Sequence, residues 1–184
     1  MALTKVNRGG LNTGISDSSD ATAITIDSSE NVSLTGILTT GAGSIGMGPA
    51  FFAHPASGQS VSQATFTKIA LGTEVYDTDS KFASDRFTPT IDGYYQINAS
   101  VTFANASFTQ AGAILQIRKN GSNYAGFNSV VGGFESRHGI NGSALVYLDS
   151  NDYVEMWIYN TSSAVTIAHD TGETHFSGGM VRKA

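Results

Sequence analysis

The run from Tyr95 to Phe103 constrains this chain most. Tyr95, Ile97, Ala99, Val101 and Phe103 fall on one side of an extended backbone, and Gln96, Asn98, Ser100 and Thr102 fall on the other. A strict period of two describes a strand with one face in a core and one face turned to polar surroundings. A helix would scatter the same apolar residues around its circumference. Ala113, Leu115 and Ile117 alternate with Ile114, Gln116 and Arg118 and lead into Asn120-Gly121. That dipeptide tolerates positive φ and closes two-residue hairpins. A second pair, Asn141-Gly142, reads as another turn ahead of Ala144, Val146 and Leu148. Asp149-Ser150-Asn151-Asp152 is a polar turn before the run Tyr153-Val154-Glu155-Met156-Trp157-Ile158-Tyr159. Val165 and Ile167 make a short strand, and Phe176, Gly178 and Met180 alternate in the last one. No helical period follows residue 50. Roughly eight to ten strands joined by short turns give an all-β sandwich or jelly roll.

Residues 1–48 have a different texture, polar and rich in glycine, with few large apolar side chains. Burying each of those is worth ~1.5–3 kcal/mol, which does not offset an ordering cost of ~1–2 kcal/mol for every residue of the segment. It is therefore expected to become ordered by intertwining with copies of itself or by docking on a partner. Ile24 and Ile26, then Val32 and Leu34, alternate on either side of a turn at Asp27–Asn31, and these four are the expected docking residues. Gly41, Gly43, Gly46 and Gly48 before Pro49 read as a linker. The expected organisation is an attachment and trimerisation segment over 1–48 and a head over 49–184.

Composition narrows the function classes. Charged residues make up 14% of the chain, against about 25% in an ordinary soluble domain. The net charge is −5 and the ten Lys and Arg residues are scattered, which excludes an electrostatic nucleic-acid footprint. Without cysteine there is neither a disulfide framework nor a thiolate metal site. No apolar run approaches the ~18 residues of a membrane-spanning helix. Met1 to Lys5 lead into Gly9-Gly10 without the apolar stretch of a secretory signal. Release by lysis, as for a virion component, is the expected route to the exterior.

Several segments, taken in order, resemble the C1q/TNF-like jelly roll over about residues 51 to 183. Phe66-Thr67-Lys68-Ile69, Tyr76-Asp77 and Lys81-Phe82 are similar to its early strands. Phe87-Thr88-Pro89 with Asp92-Gly93-Tyr94-Tyr95-Gln96-Ile97 resembles its Gly-x-Tyr strand, and Ile117-Arg118-Lys119-Asn120-Gly121 its central hairpin. Leu148 to Val154 resembles Leu-x-x-Gly-Asp-x-Val with Asn151 in the glycine position, and His175-Phe176-Ser177-Gly178-Gly179-Met180 resembles the closing strand. The resemblance implies a homotrimer packed around a threefold axis through an apolar seam. From the residues, Phe176, Gly178, Gly179 and Met180 join bulky apolar groups to bare backbone, as a close subunit contact requires. The alternative is a strand that is simply core, with glycines relieving crowding. Trp157 and Tyr159 are further interface candidates.

The stretch Ala23–Gly36 is similar to short β segments near the attachment ends of bacteriophage tail fibres. The two resemblances together imply a virion appendage whose N-terminal segment meets other virion proteins and whose head meets a host-surface glycan or protein. The rival readings are a capsid decoration or head-fibre protein and a secreted C1q-like adhesin or ligand.

No enzyme is expected. There is no Gly-x-Ser-x-Gly elbow, and the acids sit in turns, where carboxylates cap backbone amides. Any bound group would be a metal. His169, Asp170, Glu173 and His175 lie within seven residues and offer donors for a transition ion. The alternative is a solvent-facing polar loop. The C1q-like resemblance also implies calcium held by carboxylates near the axis, with Asp77, Asp79 or Asp152 as the candidates. The Gly-rich stretch from Asn123 to Gly139 reads as an exposed connection, with Tyr124, Phe127, Phe134, Arg137 and His138 as the receptor-binding candidates. Alternatively Phe127 and Phe134 anchor a strand in the core.

Overall fold

The structure, a computed structural model, describes residues 24–26, 28–29, 32–34, 39–40, 43–44, 48–108, 111–131, 134–161 and 163–184. The side chains of 24–26, 32–34, 39–40, 43–44, 105–108, 111, 130–131 and 134–136 lie outside that description. The chain divides into two units, Met1–Gly46 and Met47–Ala184. In the first, β1 (Ile24–Ile26) and β2 (Val32–Leu34) pair antiparallel, Ile24 with Leu34 and Ile26 with Val32, around a turn at Ser28 and Ser29. β3 (Thr39–Thr40) and β4 (Gly43–Ser44) form a second small hairpin. The docking side chains expected at Ile24, Ile26, Val32 and Leu34 lie outside the described residues, as do Gly41 and Gly46.

The second unit is built from β5 (Ala50–His54), β6 (Gln59–Val61), β7 (Thr67–Lys68), β8 (Thr73–Asp77), β9 (Phe82–Ala83), β10 (Arg86–Phe87), β11 (Gly93–Phe108), β12 (Ala111–Lys119), β13 (Ser122–Val131), β14 (Phe134–Leu148), β15 (Val154–Asn160), β16 (Val165–Ile167) and β17 (His175–Lys183). No helix occurs among the described residues. One sheet has the order β13-β12-β15-β10-β9, with β7 also paired to β15. The other has the order β6-β16-β11-β17-β5-β8, with β14 also paired to β11. Every pairing is antiparallel. The alternation read at Tyr95–Phe103 is the centre of β11, whose apolar side is fully buried at Tyr95, Ile97, Val101 and Phe103. Leu115, Ile117, Met156 and Ile158 supply the buried residues of the facing sheet.

Phe51 sits at the middle of the core. Its ring lies 4.5 Å from Phe87 and 5.2 Å from both Phe82 and Phe176, and Phe87 continues to Tyr95 at 5.7 Å. These are the separations at which aromatic pairs add to simple burial. Tyr95 brings a hydroxyl into this apolar layer and donates it to the Ile91 carbonyl at 2.6 Å. Burial, with the Asp79 and Asp92 carboxylates adding to it, holds that phenol well above its ordinary pKa. Gly93 has an equally local cause: a Cβ there would stand 2.5 Å from the Arg182 carbonyl oxygen of the neighbouring strand.

Turn chemistry follows the sequence at one Asn-Gly and departs from it at the other. Asn120 and Gly121 both have positive φ, 52° and 77°, and join β12 to β13. Asn141-Gly142 is no turn. It lies inside β14, with Asn141 paired to Ser100 and Gly142 to Ala99. Its glycine is required because a Cβ would overlap the Phe127 ring. Asn151 does not have positive φ. Its turn is held by the Asp149 carboxylate, which accepts from the Asn151 N–H at 2.8 Å.

A third turn is not marked by glycine at all. Ser84 and Asp85, φ 53° and 57°, join β9 to β10. Asp85 holds this conformation by accepting the buried Leu71 N–H at 2.6 Å, while Lys68 donates to the Ser84 carbonyl at 2.8 Å. Asp85→Ala removes the acceptor and leaves a buried donor unpaired. It is expected to cost about 2 kcal/mol in urea denaturation, and Asp85→Asn, which keeps an acceptor oxygen, less than half of that.

Candidate interaction face

The two sheets turn different surfaces outward. On the β15 sheet the outward positions carry charge and bind it in place. Lys68 Nζ meets Glu155 Oε1 at 2.7 Å, and Trp157 Nε1 donates to Glu155 Oε2 at 3.0 Å. The Arg118 guanidinium lies over Phe66 at 4.8 Å and over Trp157 at 4.2 Å, and Phe66 packs on Tyr159 at 4.9 Å. Arg86 stacks on Tyr153. Such a surface is compatible with water: each charge is partnered, and each aromatic is partly covered by a cation.

On the β11 sheet the outward side is Tyr94, Gln96, Asn98, Ser100 and Thr102 of β11, and Gly139, Asn141, Ser143, Leu145 and Tyr147 of β14. His175, Ser177 and Gly179 of β17, with Ala50, Phe52 and His54 of β5, continue it. None of these is Lys, Arg, Asp or Glu. At one end four large apolar groups stay exposed: Tyr94 at 42%, Tyr147 at 39%, Leu145 at 51% and Val181 at 64%. The Tyr94 and Tyr147 rings meet edge-on at 5.5 Å. Val181 is there because of a bulge: Tyr95 pairs with Met180 and Tyr94 with Arg182, leaving Val181 between them. A groove runs along Tyr94, Leu145 and Val181 to Ala184, with Arg182 and Lys183 also in its lining. The middle of the face is a polar depression lined by Asn98, Ser100, Asn141, Ser143 and His175.

The expected seam residues divide between core and surface. Phe176 is wholly buried against Phe51 and therefore belongs to the sandwich core. Gly178 also points inward, where a Cβ would stand 2.7 Å from Ile97 Cδ1 and 2.9 Å from Phe51 Cε1. Met180 packs against the core and leaves no room for a Cβ at Gly48, so Gly48, expected in the linker, lies against the head. Gly179 alone of the four lies on the outward face. Trp157 and Tyr159 also point outward, but from the opposite sheet.

The receptor-binding stretch is not a loop. Its described residues are the strands β13 and β14, and its candidates do not converge. Tyr124 donates to the Leu145 carbonyl at 3.0 Å, and Phe127 turns inward onto Gly142. The Phe134 side chain lies outside the described residues. Arg137 pairs with Glu173 across the sheet, and His138 Nε2 lies 2.8 Å from Ser129 Oγ.

Among the described residues no three His, Asp or Glu side chains are grouped to hold a metal ion. Glu173 is engaged by Arg137, while His169 and Asp170 are exposed in the turn before β17. His175 instead stacks on Phe52 at 5.2 Å. Burial holds its pKa below the ordinary value, with the Thr171 backbone acting the other way. The calcium candidates are engaged within the chain too, although Asp77 Oδ1 is buried without a hydrogen-bond partner among the described residues. Asp77 accepts the Phe82 N–H at 2.6 Å, Asp79 accepts from Thr78 and Thr90, and Asp152 meets Lys119 at 2.7 Å. For Asp152 burial raises the pKa, but Lys119, the Asp149 backbone and Asn120 outweigh it and the net shift is downward.

Sequence reasoning missed Tyr94, Leu145, Tyr147 and Val181. A signal was present: Leu145-Val146-Tyr147-Leu148 is apolar on both sides of a strand, as is Tyr94-Tyr95. A strand apolar on both faces is covered on both.

No protein-family model matches the chain. A Bacillus subtilis (strain 168) protein with the printed name "Uncharacterized protein YqcC" is 32% identical over 119 residues, covering 59% of this chain and 32% of that protein. The chain thus spans about a third of the length of the curated relative it matches. Among solved structures, the globular domain of zebrafish complement 1qA protein is similar with a TM-score of 0.53 and 14% identity, over 74% of this chain and 99% of that one. Murine APRIL gives a TM-score of 0.56 and 12% identity over 73% and 99%. Eiger TNF from S. frugiperda gives 0.52 and 12% over 75% and 94%. At these identities the likeness is one of fold, and the fold of the second unit is the C1q/TNF jelly roll.

Proposed function

We propose that the chain is a structural subunit of a virion appendage of tail-fibre type, whose head is a homotrimer assembled through the outward side of the β11 sheet. The observation that carries this reading is the contrast between the two sheets. One outward surface is charged and internally partnered; the other carries no Lys, Arg, Asp or Glu across its middle, with Arg137, Arg182 and Lys183 standing at its ends, and exposes Tyr94, Leu145, Tyr147 and Val181 together. Depletion of charge with enrichment of aromatic groups is the mark of a protein interface core. A contiguous apolar patch left in water is otherwise an aggregation hazard.

The head's own ends support display on a stalk. Gly48 lies against Met180 near the end of β17, and Ala184 donates to the Asp92 carbonyl just before β11. Both termini of the head therefore leave from one end. The opposite end, where β14 begins and Arg137 is exposed, is assigned to host-surface recognition. The chain works in this reading by binding and assembly, without catalysis.

Light scattering on the full chain tests the assembly and is expected to give three times the 19.2 kDa chain mass. A monomer at micromolar concentration would overturn it. Antibody labelling of intact particles tests the placement, and label on the capsid shell instead of an appendage would favour a decoration protein.

A further inference from the structure

We infer that the outward side of the β15 sheet binds an acidic polysaccharide, with Arg118 and Arg86 receiving its carboxylates and the neighbouring amides receiving its hydroxyls. The site is complete within one chain. It goes beyond the assembly and the end-on recognition proposed above and depends on neither.

Arg118 is held still without being neutralised. Its guanidinium lies over Phe66 at 4.8 Å and over Trp157 at 4.2 Å, and its Nε donates to Gln116 Oε1 at 2.9 Å. Gln116 is itself only 8% exposed, so the anchor is fixed. These contacts remove in advance the rotamer freedom that a free arginine loses on binding. None of them is to an anion. The adjacent carboxylate is that of Glu155, the cross-strand partner of Arg118. Both its oxygens are taken, Oε1 by Lys68 at 2.7 Å and Oε2 by Trp157 Nε1 at 3.0 Å. Arg86 repeats the arrangement on the other side of Glu155, with which it pairs from β10. Its guanidinium lies over Tyr153 at 4.7 Å, and the neighbouring Asp85 carboxylate accepts the Leu71 N–H. Among the described residues neither arginine has an ion pair.

The outward strand positions therefore carry three bases, Lys68, Arg86 and Arg118, against Glu155 alone, in a chain whose net charge is −5. A guanidinium presents a fork that meets a planar carboxylate through two parallel bonds. The two arginines stand on the strands flanking β15, about 10 Å apart at the backbone. Two forks on one line suit a polymer that repeats its acidic group. The residues beside them select the class. None of the large apolar side chains left exposed by the fold belongs to β7, β10, β12 or β15. The face thus lacks the anchors that a protein partner or a lipid surface would bury. Next to Arg118 it exposes neutral amides, Asn123 and Asn128 of β13, on either side of Gly126. A Cβ at Gly126 would meet only the Asn123 amide, at 3.6 Å, so bare backbone is open there to a sugar ring. An amide both donates and accepts, as hydroxyl recognition requires.

Isothermal titration of the full chain with a short oligogalacturonate tests this, since a short oligomer keeps the avidity of any assembly out of the measured affinity. The expected result is saturable binding that weakens as salt is raised. The methyl-esterified oligomer, which keeps the sugars and removes the charge, is expected to bind at least about tenfold more weakly. Arg86 is exposed, so Arg86→Gln leaves the packing intact, and it is expected to weaken binding about tenfold. Arg118→Lys, which keeps the charge and loses the fork, is expected to do the same. Oligoglutamate and polyphosphate are expected to bind at least about tenfold more weakly than the oligogalacturonate. Absence of saturable binding, equal binding of the esterified oligomer, or either variant with unchanged affinity would overturn the site. Equal or tighter binding of oligoglutamate or polyphosphate would overturn the polysaccharide and make the partner an acidic protein segment or a phosphate polymer. Light scattering on the same samples reads the trimer separately: a monomer that still binds would overturn the assembly alone.

Discussion

Phe176→Ala is expected to unfold the head rather than to dissociate it. The ring is fully buried, stands 5.2 Å from Phe51, and closes one side of the layer formed by Phe82, Phe87 and Tyr95. Truncating a buried phenylalanine in a close-packed core costs about 3–5 kcal/mol, from lost transfer energy and the cavity left behind. That is a large part of the ~5–15 kcal/mol by which a domain of this kind is stable. Urea denaturation followed by tryptophan fluorescence reports it, since Trp157 lies on the facing sheet. The decisive feature is where the loss falls: the unfolding midpoint should drop, while the mass of whatever remains folded does not change. A variant that kept its midpoint and became monomeric would return Phe176 to the subunit seam where the sequence pattern first put it.

That exchange of roles shows what alternation reveals and what it does not. A period of two assigns neighbours to opposite sides of a strand, and in β11 the apolar side identified itself as the core. In β17 the same rule separates Phe176 and Gly178 from Ser177 and Gly179, but glycine has no hydrophobicity to say which side is inside. The structure settles it through a neighbour distant in sequence: Phe51 and Ile97 fill the space a Gly178 side chain would need. Trp157 and Tyr159 show a second limit. Alternation placed them outward correctly, but which of two sheets a strand joins is a long-range fact. Pairing of β15 with β12 and β10 puts both residues on the charged surface.

Turn signals divide in the same way. Asn120-Gly121 is legible because its φ values are a local property. Asn141-Gly142 is not, because its glycine answers to the Phe127 ring reaching across from β13. The Ser84-Asp85 turn carries no glycine and is stabilised by a bond to Leu71, fourteen residues earlier. The candidate face was hardest to read. Its mark is the absence of charge across the middle of four strands that are scattered in sequence and adjacent only once folded.

Leu145→Glu is the change expected to affect assembly most. Leu145 is half exposed in the single chain, beside Tyr94 and Val181 and away from the core. In an isolated head the new carboxylate reaches water, so the unfolding midpoint of the monomer should move by no more than about 0.5 kcal/mol. In the trimer the same group is taken out of water at the contact, with Arg182 and Lys183 at the end of the groove as the cations within its reach. Desolvating a carboxylate costs several kcal/mol, which a pairing cation offsets fully only in excellent geometry, and the threefold arrangement imposes it in every copy. Each 1.4 kcal/mol is a factor of ten in association. The concentration for half-dissociation should therefore rise at least about a hundredfold, enough to give a folded monomer by light scattering at micromolar concentration. Arg118→Ala on the other sheet is the control. It removes the cation lying over Phe66 and Trp157, so it should lower stability modestly and leave the mass of the assembly unchanged. If Arg118→Ala dissociated the trimer and Leu145→Glu did not, the interface would lie on the charged sheet, and the link between charge depletion and assembly in this fold would be wrong.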